Sequence, residues 1–171
     1  MIYIGIDPGT SKGSAVCFGD DCGRVTRCEF FSAPVDLGAP AKIVCEMPRI
    51  YPRSEKAGQH LDPNDMVDLG AVSGGWYYTN PGNCSYVFPR AWKGTRKKWT
   101  HHRVIWAALT VREKETVGPV CGMIPSVLDR YIDAACNAAA LGHKVTYGGK
   151  VADMLDAVGL MKYAKKVNTN G

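Results

Sequence analysis

Three short apolar runs, crowded into the first 31 residues and separated by turn-forming residues, limit what this chain can fold into more than any other feature. Residues 2–6 (Ile-Tyr-Ile-Gly-Ile) end at Asp7-Pro8-Gly9, a second run covers 14–18, and Gly19-Asp20-Asp21-Cys22-Gly23 separates it from a third over 25–31. Apolar runs this close, joined by Asp, Pro and Gly, predict a hairpin with a third strand returning beside it. A loop carrying Pro34, Gly38 and Pro40 follows, and then Lys-Ile-Val-Cys-Glu over 42–46 reads as a buried strand stopped by Met47-Pro48.

The period then changes. Asp62-Pro63 offers an N-cap and a first-turn proline, and Met66, Leu69, Val72 and Trp76 follow at helical spacing. Residues 85–88 predict a strand closed by Pro89. Helices are expected from a Thr100 cap to Leu109, from a Ser126 cap over 127–141 to Gly142, and over 151–166 with Lys162, Lys165 and Lys166 near its end. Strands first, then helix and strand in alternation, predict a mixed-sheet α/β fold.

Composition narrows the class. With 171 residues and 46% hydrophobic content, the chain suits one domain with a real core, and 22% charged residues are too few for a disordered one. Seven cysteines at 17, 22, 28, 45, 84, 121 and 136 include no Cys-x-x-Cys pair, which argues against a structural zinc site. Neither a signal-like start nor an apolar run near bilayer length is present, so a soluble, intracellular, cytoplasmic protein is expected.

Three carboxylates carry the functional argument. Asp7 ends the first strand before Pro8-Gly9-Thr10; it is either a turn aspartate or a sheet-edge acid with room for phosphate or metal beside it. Glu46 ends the fourth strand, where a charge marks either emergence into solvent or a site. Asp133 sits in Tyr-Ile-Asp-Ala-Ala-Cys-Asn-Ala-Ala-Ala over 131–140, and a charge among small apolar residues is costly unless it is paired or binds a cation. Asp129, one turn earlier, either closes a capping box with Ser126 or joins Asp133 as a ligand. Oxygen donors of this kind suit Mg²⁺, with Mn²⁺ as a substitute, and two such ions support phosphodiester hydrolysis.

These segments bear a family resemblance. Ile4-Gly-Ile-Asp7-Pro-Gly-Thr-Ser-Lys-Gly-Ser-Ala, the strand-end Glu46 and Ile132-Asp133-Ala-Ala resemble the RuvC-type Holliday junction resolvases of the ribonuclease H-like superfamily. Glu46-Met-Pro-Arg-Ile-Tyr, Asp62-Pro-Asn-Asp65, Trp92-Lys93-Gly94 and Ile124-Pro-Ser126 are similar to small phage-encoded members. The resemblance covers residues 1–142. It implies a ribonuclease H-like mixed five-stranded sheet flanked by helices over 1–145; residues 146–171, outside the resemblance, are expected to form a C-terminal helical extension packed on the same domain. It also implies metal ligation by Asp7, Glu46 and Asp133, and Lys93 near the scissile phosphate. The family's further acid or histidine, about one turn before the helical aspartate, falls on Arg130 at three residues; Asp129, at four, is a substitute by geometry.

The formal charge is +5, and much of the surplus lies in one segment: Arg90, Lys93, Arg96, Lys97, Lys98 and Arg103, interleaved with Trp92, Trp99, His101 and His102. Cations there would meet phosphates and aromatics would stack on unpaired bases, unless the tryptophans pack on the core instead. Arg49, Arg53 and Lys56 follow Glu46 and are expected to touch DNA too. The function expected is a Mg²⁺-dependent endonuclease on four-way junctions or other branched DNA, and the two-fold symmetry of a junction implies a homodimer. The alternatives are a DNA-binding module without catalysis and an actin-like ATP-binding fragment. The second would need another phosphate loop that this sequence lacks.

Overall fold

A computed structural model describes residues 1–11, 13–38, 40–48, 63–143, 145 and 149–169. Among these residues five strands form one sheet: β1 (Ile2–Asp7), β2 (Ser14–Gly19), β3 (Val25–Phe31), β4 (Ala41–Glu46) and β5 (Cys84–Val87), in the order β3-β2-β1-β4-β5. β1, β2 and β3 pair antiparallel as consecutive hairpins, whereas β4 and β5 join parallel to β1 and to each other. The molecule is thus a mixed α/β structure, its five-stranded mixed sheet flanked by helices. The strands fall where the apolar runs place them, because each run is bounded by residues that favour turns.

The described residues also form six helices: α1 (Pro63–Thr79), α2 (Pro89–Lys93), α3 (Lys98–Ala107), α4 (Val111–Val120), α5 (Pro125–Ala140) and α6 (Gly149–Thr169). Strand alternation divides the core between the two sheet faces. Ile4, Ile6, Val16, Ile43 and Cys45 meet Trp76 of α1 on one face, where the Trp76 indole donates to Ser14 Oγ at 2.9 Å. Tyr3, Ala15, Cys17, Val44 and Val87 on the other face share a core with α3, α4, α5 and α6.

The C-terminal segment, expected as an extension packed on the domain, is the helix that covers the sheet's centre. α6 lies on β1, β2 and β4, and Met154, Leu155, Ala157, Val158, Leu160 and Met161 are all fully buried. Lys162 still reaches solvent near its end. This helix is apolar nearly all round, which is the pattern of a core helix and not of an amphipathic surface one.

Two further differences have local causes. α5 begins at Pro125 with Ile124 in extended backbone at its N-cap, so Ser126 does not cap it and Asp129 closes no capping box. The capping box belongs instead to α4, unexpected from the sequence: Thr110 Oγ1 accepts from the Glu113 amide, and Glu113 accepts from the Thr110 amide at 2.8 Å. Asp62, expected to cap α1, lies outside the described residues.

Glu113 does more than cap. It is buried and accepts from the Val25 amide of β3 at 2.9 Å and from Lys162 Nζ of α6 at 2.6 Å, tying three elements together. Burial opposes its charge, but the Lys162, Thr110 and Val25 donors prevail and bring its pKa from 4.5 down to about 2. A depressed carboxyl pKa contributes stability that is present above the unfolded value and disappears as pH falls through the folded one. Glu113→Gln is therefore expected to cost about 2 kcal/mol in urea unfolding at pH 7. That difference should shrink as pH falls from 4.5 toward 2. A pH-independent difference would remove the charge from the account.

Candidate active site

β1 and β4 run parallel with Ile6 opposite Cys45, so the next residues along, Asp7 and Glu46, stand side by side where the two strands end. Alternation puts both on the face shared by Gly5 and Val44, the face that α6 covers. The resulting approach brings Asp156, near the middle of α6, to the same place. Lys93, the last residue of α2, joins them: its Nζ lies 2.9 Å from Asp156 Oδ2 and 3.1 Å from Glu46 Oε2. The Trp92 indole donates to Glu46 Oε2 at 2.9 Å, and His102 Nε2 bonds Asp156 Oδ1 at 2.8 Å.

The electrostatics are those of crowded acids with too little positive charge. Burial raises the Asp7 pKa well above the usual carboxylate range, and the negative charges of Asp156, Glu46 and Asp153 raise it further against the pull of Lys93. Burial also raises Glu46, with Asp156 repelling it, in spite of Lys93 and the Trp92 bond. At Asp156, which is 4% exposed, burial works the same way but loses to the His102 contact and to Lys93, so its pKa falls to about 2. Lys93 in turn is buried at some cost to its charge, yet Asp156 and Glu46 raise its pKa. Partly and fully buried carboxylates that repel one another beside the Lys93 ammonium are of the donor type that suits hard divalent cations. No three of these acids offer oxygens that all lie within 4.8 Å of one another. Among the described residues, the one set of three ligand atoms within 4.8 Å of one another is Asp20, Asp21 and Cys22, on an exposed turn.

Of the residues predicted from sequence, the structure brings together Asp7, Glu46 and Lys93. It does not bring Asp133 or Asp129 to them. Asp133 is exposed on α5, a helix packed on α3 and α4. Asp129, 45% exposed, pairs with Lys114 Nζ at 2.9 Å and accepts from the Trp106 indole. The acids that α6 brings beside Asp7 are Asp156 and Asp153, three residues apart and hence one turn apart on a helix.

The basic segment divides in two. Arg90, Arg96, Lys97, Lys98 and Arg103 are exposed, and Arg90, Lys93, Arg96 and Lys98 line a hollow of about 280 Å³ at the rim of the acids. Its aromatics do not stand out to stack on bases: Trp92 and Trp99 pack on the core, and His101 and His102 are buried. Trp92, expected to contact DNA, is half-buried and donates to Glu46. Burial lowers the His101 pKa to about 4, which leaves that ring neutral near pH 7. Arg49, Arg53 and Lys56 lie outside the described residues. No described helix is long and apolar enough to cross a membrane. No protein-family model matches the sequence, and no curated protein matches it significantly.

Proposed function

We propose that this chain is a Mg²⁺-dependent endonuclease that cuts four-way junctions or other branched DNA, a ribonuclease H-like protein of the RuvC type. The observation that carries the reading is the meeting of Asp7, Glu46 and Asp156 around Lys93 at the ends of two parallel strands. The resemblance implies acids on the first strand, the fourth strand and the last helix, with another acid or histidine one turn before the helical aspartate. Asp7, Glu46 and Asp156 fit that order, and Asp153 stands three residues before Asp156. The sheet, with two hairpin-linked strands beside β1 and two parallel strands beyond it, agrees with the same fold.

Asp7, Glu46, Asp153 and Asp156 would hold Mg²⁺ or Mn²⁺. When bound, such ions supply Lewis acidity toward the phosphoryl oxygens and the departing oxygen. The protein's own residues set the conditions. Trp92 and His102 fix the carboxylates of Glu46 and Asp156 in orientation, as outer partners of ligands do. Arg90, Arg96, Lys97 and Lys98 would hold the DNA backbone beside the acids. A module that only binds DNA gains nothing from buried acids that repel one another beneath this basic rim. Two copies related by a two-fold axis would match the symmetry of a four-way junction.

The test is a synthetic four-way junction incubated with purified protein and Mg²⁺. Paired, symmetric cuts are expected, absent in EDTA and absent from Asp7→Asn. Binding without cutting at any Mg²⁺ or Mn²⁺ concentration would remove the nuclease reading.

A further inference from the structure

Lys93 belongs to two environments at once. Its ammonium is bonded to Glu46 and Asp156 and lies 4.6 Å from the Trp92 ring centroid, while its side chain also lines the basic hollow with Arg90, Arg96 and Lys98. Among the described residues it is the ammonium within bonding reach of both acids, and the oxygens it bonds are the ones a metal ion would need. Trp92 holds Glu46 on one side and His102 holds Asp156 on the other, so the acids keep their positions whichever cation lies between them.

We infer that Lys93 is the resident counter-ion of the acidic cluster, and that a divalent cation enters by displacing its ammonium toward the basic hollow. This inference rests on the proposed metal-binding role of the cluster. Two cations cannot share the same carboxylate oxygens at close range, because like charges a few ångströms apart repel strongly in a partly dry site. Divalent-ion affinity in the free protein is therefore held down by Lys93. A DNA phosphate beside Arg90, Arg96 and Lys98 would favour the displaced position of the ammonium. Metal and DNA would then strengthen each other's binding, as two ligands that select the same state must.

Mn²⁺ alone, titrated calorimetrically into the full chain without DNA, tests this. Lys93→Met is expected to bind Mn²⁺ roughly tenfold more tightly than the parent protein, and to gain more in thermal unfolding temperature for the same Mn²⁺ concentration. Lys93→Arg, which keeps the charge, is expected to bind Mn²⁺ no more tightly than the parent. Unchanged or weaker Mn²⁺ binding in Lys93→Met would overturn the inference, as would equal tightening in Lys93→Arg. Should Lys93→Met fold only with Mn²⁺ present, the metal replaces the missing ammonium and the inference stands. Should it fail to fold at any Mn²⁺ concentration, Lys93→Gln is subject to the same two outcomes. Tighter Mn²⁺ binding in a protein that cuts no DNA would preserve this inference while removing the nuclease reading. Junction cutting with no change in Mn²⁺ affinity would do the reverse.

Discussion

Asp156→Asn is expected to reduce junction cutting by on the order of 10²–10³-fold, whereas Asp133→Asn should cut at the parent rate. Asp156 is almost wholly buried, bonded to Lys93 and His102, and placed by α6 beside Asp7 and Glu46. An asparagine there keeps the volume and one acceptor for His102 but removes the negative charge that would hold a divalent ion. Junction binding should survive or tighten, because the change deletes a negative charge facing phosphate and no basic contact. Asp133, exposed on a helix that packs on α3 and α4, has no comparable partner set. Single-turnover cutting and junction binding, measured for both variants, settle the matter. A dead Asp133→Asn beside an active Asp156→Asn would move the site from α6 to α5.

That contrast marks where the sequence was legible and where it was not. The strands could be read because each apolar run is bounded by Gly, Pro or Asp, and Asp7 and Glu46 could be read because a charge directly after a buried strand is conspicuous. Asp133 stands out in the sequence as a charge among small apolar residues, Ala134, Ala135 and Ala138–Ala140. Ala134 and Ala140, however, are exposed. The argument that a lone charge in an apolar helix must have a partner applies with more force to Asp156, flanked by Met154, Leu155, Ala157 and Val158. Three lysines near its end mask the apolar character of the rest of α6. The same ambiguity hid the role of the aromatic residues beside the basic ones. Trp99, His102 and Trp106 recur at spacings of three and four, the period of a buried helical stripe, yet tryptophan serves equally well for packing and for stacking. α4 could have been read from Thr110-x-x-Glu113. α2, five residues between Phe88 and Gly94, is too short for any period to show.

Gly5→Ala is expected to destabilise the fold by about 3 kcal/mol or more, and Gly5→Val to prevent stable folding. A Cβ at Gly5 would collide with the Ala157 carbonyl oxygen and the Met161 amide nitrogen, and would come within 2.9 Å of the Leu160 carbonyl carbon. These are backbone atoms of α6, so no rotamer change relieves the overlap; the helix must lift from the sheet or the strand must bend. At the Gly159 position on the same helix, a Cβ would collide with the Trp92 ring, so α6 is confined from both sides. Lifting α6 would also carry Asp156 away from Asp7 and Glu46, so the Gly5→Ala molecules that do fold should cut poorly. Gly70, inside α1 with open space around it, is the control. Alanine there should leave stability unchanged or raise it by about 0.5–1 kcal/mol through helix propensity alone. Urea unfolding of both variants separates a general effect of adding a methyl group from one specific to the contact between β1 and α6. A Gly5→Ala protein as stable as the parent would mean that α6 does not press on β1, and the placement of Asp156 beside the strand-end acids would go with it.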